Sequence, residues 1–236
     1  MAVFSSLVGR IFSPLKLWRL QALSDRLVRG DKDAGKTLTR RGTAWQIAQA
    51  DLQTLAIKVE LAPLQDRLKS LTTEATRQNI LWTLTHHLLA NCEHIAPRPV
   101  LVTASEFYGN FLVQSRDFGP GLGKYLDHVG FPFSTRSYER QRQFTLELQG
   151  NGLLLRFNQV LNGCWGRVVI ESGGQRVALV RRGLEIIGRR QPLAEFVGTR
   201  VSFYLPQREA WVYQPDGFCV DDLPPPLTIN WLKFSQ

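Results

Sequence analysis

The hydrophobic pattern of this chain changes its period once, and that change most constrains the fold. Up to about residue 130 the apolar residues recur at three- and four-residue spacing, which is typical of amphipathic helices. After about residue 140, short alternating runs are separated by glycine and asparagine turn signals, which indicates successive hairpins. The sequence therefore predicts an α+β fold, in which a helical N-terminal half is followed by an antiparallel β-sheet or small barrel.

Capping residues and prolines place five helices in the first half. The pair Ser13-Pro14 suits the start of the first helix, and Pro63 suits the start of the third. The five helices are predicted over residues 14–29, from Thr43, from Pro63, over residues 74–95 and from Ser105.

Turn signals divide the second half into strands. These are predicted over residues 143–149, 153–161, 167–172, 175–187, 199–205 and 210–213. The predicted organisation is a basic N-terminal arm and helix (1–41), a helical region (42–130), a connector (131–142) and an antiparallel β region (143–236).

Positive charge is concentrated at the N-terminus. The first 41 residues hold nine basic and three acidic side chains, which is +6 of the net charge of +9. A local basic excess indicates a polyanionic partner, which is a nucleic acid, an acidic membrane surface or an acidic protein. The candidate phosphate contacts in this region are Arg19, Arg26, Arg29, Arg40 and Arg41.

A second basic region falls among the predicted strands. Arginines beside exposed rings on a sheet are typical of surfaces that bind single strands, but the same rings can equally be core. The candidate arginines are Arg181, Arg182, Arg189 and Arg190, with Arg176 nearby, and the connector adds Arg136, Arg140 and Arg142. The neighbouring rings are Phe157, Trp165, Phe203, Tyr204, Trp211 and Tyr213.

Residues 30–37 match the P-loop pattern GxxxxGK[ST], with Gly30, Gly35, Lys36 and Thr37 as the candidate nucleotide contacts. A P-loop follows a buried strand, whereas the residues before Gly30 have helical spacing. We therefore expect a polar loop between helices, and an NTP-binding enzyme is kept as the second alternative.

The sequence contains no recognised catalytic motif and predicts no metal site or cofactor. His86, His87, Cys92 and His94 lie close together in sequence, but no two of them have the spacing at which helical residues share one ion. The three cysteines are far apart and odd in number, which favours a reducing, cytoplasmic setting.

The leading hypothesis is a non-enzymatic nucleic-acid-binding protein (RNA or DNA), a subunit of a larger nucleoprotein assembly with other protein subunits. The first alternative is a peripheral membrane or structural component. In that alternative, residues 1–29 bind a membrane surface through apolar side chains interleaved with Arg10, Lys16 and Arg19.

Overall fold

The structure is a computed structural model that describes residues 2–48, 50–51, 56–57, 62–90, 99–119, 153–194, 196–212 and 229–231. The helices in these ranges are α1 (Ala2–Val28), α2 (Lys32–Arg40), α3 (Ala62–Leu71), α4 (Ala75–Ala90) and α5 (Leu153–Asn158), and α5 continues into a π-helical turn at Gln159–Gly163. The strands are β1 (Ala44–Ala48), β2 (Ala50–Asp51), β3 (Ala56–Ile57), β4 (Val100–Phe107), β5 (Asn110–Asp117), β6 (Arg167–Ser172), β7 (Gln175–Arg182), β8 (Glu185–Pro192), β9 (Thr199–Pro206) and β10 (Ile229–Trp231).

Eight of these strands form one open sheet in the order β1-β4-β5-β9-β6-β7-β8-β10. Neighbouring strands are antiparallel except at one edge, where β10 runs parallel to β8. The predicted α+β class is confirmed, and of the two predicted arrangements of the strands the sheet is the one observed.

One face of the sheet packs against α3, α4 and α5. Residues paired from strand to strand form a buried row across this face. The row runs through Ala104, Val113, Phe203, Val168 and Leu179, and all five are fully buried. The largest hydrophobic cluster joins this row to buried leucines of α3 and α4 and to Phe157 of α5.

The opposite face is covered by α1 and α2 at the β1 end of the sheet. Leu20 and Leu27 of α1 and Leu38 of α2 form a second buried cluster with Leu101 and Leu112 of the sheet. The second half of α1 is therefore part of the folded core and not a detachable arm.

Three of the predicted helices are present. The first is longer than predicted, because α1 begins at Ala2, so Ser13 and Pro14 lie inside the helix and do not start it. The third and fourth correspond to α3 and α4.

The helices predicted from Thr43 and Ser105 are wrong. Residue 44 begins β1, and Ser105 lies in β4, which forms a hairpin with β5. Helices cover these strands on both faces, so almost every residue of β4 and β5 is buried and the strand alternation disappears.

Among the predicted strands, those over 167–172 and 199–205 are confirmed as β6 and β9. The run 175–187 is two strands, β7 and β8, because Gly183 makes a turn with a φ of +60°. The strand over 153–161 is wrong, since these residues form α5 and the π-helical turn. Residues 210–212 are not in a strand, and 143–149 lie outside the described residues.

The predicted boundaries between four parts of the chain stay a prediction. β5 pairs with β9, so strands from the predicted helical region and from the predicted β region share one sheet. The connector over residues 131–142 lies outside the described residues.

Candidate nucleic-acid interface

The segment that matches the P-loop pattern joins two helices. α1 leads into Gly30, which has a φ of +100°, and α2 begins at Lys32. In the first turn of α2, the backbone N–H groups of Asp33 and Ala34 donate to Oδ1 of Asp31, at 3.0 Å and 3.2 Å. A carboxylate therefore occupies the place at the helix N-terminus that a bound phosphate would take.

The other residues of the pattern also have structural roles. A Cβ at Gly35 would lie 2.8 Å from Cζ2 of Trp45, so α2 can pack this closely on β1 only with glycine there. The Nζ of Lys36 lies 3.0 Å from the Asp33 carboxylate, and the Thr37 hydroxyl donates to the carbonyl oxygen of Asp33 at 3.0 Å. This geometry favours the interhelical interpretation over a nucleotide cradle.

Three cations form a row along α2, which we call the α2 cation row. Lys32, Lys36 and Arg40 are four residues apart, so they project from one side of the helix with a rise of about 6 Å between neighbours. All three are exposed, as is Arg41, the C-cap residue. In the described part of the chain, Asp33 is paired with Lys36, and no ion pair involves Lys32 or Arg40.

The α2 cation row borders a groove with a volume of about 760 Å³. The apolar lining of the groove comes from Leu27, Trp45 and Ile47. The indole Nε1 of Trp45 donates to Oγ1 of Thr39 at 2.8 Å, which fixes the orientation of the ring. A cationic rim beside an apolar lining suits a polyanion that also carries rings, as a nucleic acid does.

The three candidate arginines of α1 are all exposed. Arg26 forms an ion pair with Asp31 at 2.5 Å. The hydrogen bond from Arg26 contributes most to lowering the pKa of the Asp31 carboxyl. The Arg29 guanidinium lies 4.9 Å from the centroid of the Phe118 ring. Arg19 and Arg29 have no carboxylate partner among the residues that the structure describes, so both are available to an anion.

A buried ionic network, which the sequence analysis missed, fixes α1 to the sheet. Oδ1 of Asp25 accepts from Nε of Arg116 at 2.7 Å and from Nη2 of Arg200 at 2.8 Å. Arg200 also donates to Glu171 at 3.0 Å, and the Phe196 ring lies against both guanidinium groups. Burial lowers the pKa of Arg116. The network joins α1 to three adjacent strands and places the basic helix pair at a fixed position on the sheet.

The second basic region is divided between the two faces of the sheet. Because side chains alternate along a strand, Arg181 and Arg190 lie on the face of α3, α4 and α5, where Val177 and Leu179 are buried. The other three arginines, Arg176, Arg182 and Arg189, lie on the opposite face. Sequence proximity therefore predicted one cluster where the fold makes two.

The rings near these arginines also differ in exposure. Phe157 and Phe203 are fully buried in the core, 6.0 Å apart between centroids, and Trp211 is buried as well. Trp165 is 47% exposed, and the Arg181 guanidinium lies 3.9 Å from its ring centroid. Tyr204 is half-buried, and burial raises its pKa. Four of the candidate residues, Arg136, Arg140, Arg142 and Tyr213, lie outside the described residues.

No family model, curated protein or solved structure matches this chain. Within the described ranges no three histidine, cysteine, aspartate or glutamate side chains are grouped as metal ligands, and Cys92 and His94 lie outside those ranges. None of the described helices combines the length and the hydropathy that a membrane crossing needs.

Proposed function

We propose that this chain is a non-enzymatic, cytoplasmic nucleic-acid-binding protein that belongs to a larger nucleoprotein assembly. The proposal rests on the α2 cation row and the groove that it borders, which is lined by Leu27, Trp45 and Ile47. Three exposed cations along one side of a helix present a line of positive charge, and phosphates bind such surfaces with the release of counterions. Arg19, Arg29 and Arg41 extend the positive surface beyond the row.

The test removes the α2 cation row and measures the salt dependence of binding. We expect the triple variant Lys32→Ala/Lys36→Ala/Arg40→Ala to bind a labelled single-stranded oligonucleotide more weakly in fluorescence anisotropy. Each phosphate contact on a single strand contributes about 0.7 to the slope of log affinity against log salt, so three contacts predict a decrease of about 2. The matched control is Arg67→Ala/Lys69→Ala/Arg208→Ala, which removes three exposed cations elsewhere on the surface.

The two outcomes differ clearly. A lower slope in the α2 variant, with the control variant like wild type, supports phosphate contacts by the row. If wild-type protein does not bind nucleic acid at low salt, or if both variants retain its slope, the proposal is wrong.

A second candidate function rests on a separate observation. Leu15 and Trp18 on α1 are 44% and 63% exposed, one helical turn apart, and Lys16 and Arg19 flank them. Apolar and basic side chains placed together in this way are typical of helices that bind anionic membrane surfaces. Cosedimentation with vesicles that contain phosphatidylserine tests this function. We expect Trp18→Ser to abolish vesicle binding if the helix lies on the membrane, and to leave oligonucleotide binding unchanged.

A further inference from the structure

Trp165 has a backbone conformation that a bulky residue rarely adopts. Its φ is +55°, and in the described part of the chain Tyr108 is the other residue besides glycine with a positive φ. Strained backbone conformations of this kind persist where the surrounding structure imposes them, and they are concentrated at functional sites. The residues around Trp165 must therefore hold its backbone in this conformation.

Those neighbours are tightly packed on both sides of Trp165. The π-helical turn Gln159–Gly163 comes just before it, and Cys164 is fully buried. A Cβ at Gly166 would lie 2.5 Å from the carbonyl oxygen of Tyr204, so residue 166 must be glycine for the chain to pass this close to β9. The buried residues on either side fix the backbone, and between them the indole projects outward with 47% of the residue exposed.

Arg181 covers one face of this indole. Its guanidinium carbon lies 3.9 Å from the ring centroid, which is stacking distance. The guanidinium donates to two carbonyl oxygens, to Gly183 from Nε at 2.8 Å and to Asn162 from Nη1 at 3.4 Å. These bonds fix its plane without neutralising its charge, because no carboxylate among the described residues pairs with Arg181.

Further positive charge lies at the same end of β6 and β7. Arg167 pairs in register with Val180, so Arg181 and Arg182 extend past the start of β6 beside Trp165. Arg167 and Arg182 are both exposed, and the only acidic residue in the adjoining turn is Glu185, opposite Arg182. Strand alternation places Arg167 and Arg182 on the sheet face opposite Arg181, so Trp165 lies at a strand end that carries arginine on either face.

We infer that the Trp165–Arg181 pair is a stacking platform for an unpaired base of single-stranded nucleic acid. The base stacks on the indole face that Arg181 leaves uncovered, and the positive charge of the Arg181 guanidinium attracts the flanking phosphates. A base within a duplex does not offer its face, so the platform selects single strands. The inference rests on the proposed function and extends it to a substrate class and a second contact region.

The experiment compares Trp165→Leu, Trp165→Phe and wild type by fluorescence anisotropy on labelled oligonucleotides of about ten nucleotides. Four probes are used: oligo-dT, oligo-rU, a duplex of the same length and an abasic strand that keeps the phosphates. The matched control is Trp18→Leu, which removes another exposed tryptophan outside the platform. Thermal unfolding of each variant confirms that it is folded.

We expect Trp165→Leu to bind oligo-dT and oligo-rU about 5- to 150-fold more weakly than wild type, the loss of one stacked base. Trp165→Phe retains a ring and should lose less. Binding of the duplex and of the abasic strand should be unchanged, and Trp18→Leu should bind as wild type does.

Two results would overturn the inference while the proposed function stands. The first is a folded Trp165→Leu variant that binds both single strands within about twofold of wild type. The second is an equal loss on the abasic strand, which would assign the effect to charge and not to stacking. If the wild-type protein binds none of the four probes at low salt, the proposed function fails and the platform fails with it.

Discussion

Asp25→Asn removes one negative charge from the buried ionic network and changes little else, since the two side chains have nearly the same shape. In the native protein the carboxylate accepts hydrogen bonds from Arg116 and Arg200, whose side chains are only 3% and 6% exposed. In the variant, Arg200 keeps its ion pair with Glu171, whereas Arg116 loses the carboxylate to which its Nε donates. We expect it to weaken the attachment of α1 to the sheet.

The magnitude follows from the geometry of the two contacts. Removal of one partner from a buried ion pair costs about 3–5 kcal/mol, because the remaining charge is left uncompensated. Asp25 itself is 29% exposed, so water reaches the site and the lower end, about 3 kcal/mol, is expected.

Urea unfolding measures this loss. With an m-value of about 3 kcal/mol/M, a decrease of about 3 kcal/mol lowers the unfolding midpoint by about 1 M. The matched control is Asp66→Asn, because Asp66 forms a 3.9 Å pair with Lys69 that is largely exposed. The control should change stability by less than about 0.5 kcal/mol. An Asp25→Asn variant as stable as the control would refute the view that this network attaches α1.

Two further predictions concern single buried positions. Gly35→Ala should lower the free energy of unfolding by about 1–3 kcal/mol despite alanine's higher helix propensity, because the new methyl group would overlap Trp45. Thermal unfolding measures the change, and an increase in stability would contradict this packing. Burial raises the pKa of Cys164 to about 12, so its thiol should not react with dithionitrobenzoate at neutral pH until the protein unfolds. The assay uses a Cys92→Ser/Cys219→Ser chain, and rapid labelling of the folded protein would contradict this burial.

Local sequence signals predicted the elements in which hydrophobic spacing or flanking turns are clear. α3 and α4 have apolar residues at helical spacing, β9 alternates apolar and polar residues, and β6 is bounded by turn signals. The structure confirms these four elements. The same reasoning failed over residues 153–161, where alternation and helical spacing coexist. Phe157, Val160, Leu161 and Cys164 are all fully buried at three- and four-residue spacing, which is the helical pattern of this segment.

β5 was mispredicted because the second half of the strand, from Gln114 to Asp117, is both polar and buried. Gln114 bonds to Ser202 on the adjacent strand at 2.8 Å, and Arg116 bonds to Asp25 of α1. These partners are 88 and 91 residues away in sequence, so a local reading takes such side chains to be exposed. Long-range pairing of polar groups is the information that sequence patterns lack.

The candidate site shows the same division between local and long-range information. The sequence predicted phosphate contacts by the arginines of the first 41 residues, and the structure leaves all five of these side chains exposed. Their contact with phosphate stays a prediction. Sequence alone did not reveal which rings are buried. Phe203 and Tyr204 are adjacent in β9, and the register of the sheet makes the first a core residue and leaves the second half-buried beside Arg167.

The fold also separates the two proposed contact regions. α2 packs on β1, the edge strand, whereas Arg181 lies on β7, five strand spacings away, which is about 24 Å. The α2 cation row and Arg181 also belong to opposite faces of the sheet. An oligonucleotide long enough to pass around the sheet would bind both, and its second contact would be intramolecular. Under the proposed function, affinity should therefore rise in a step once the strand spans both regions, and this step should vanish in Trp165→Leu.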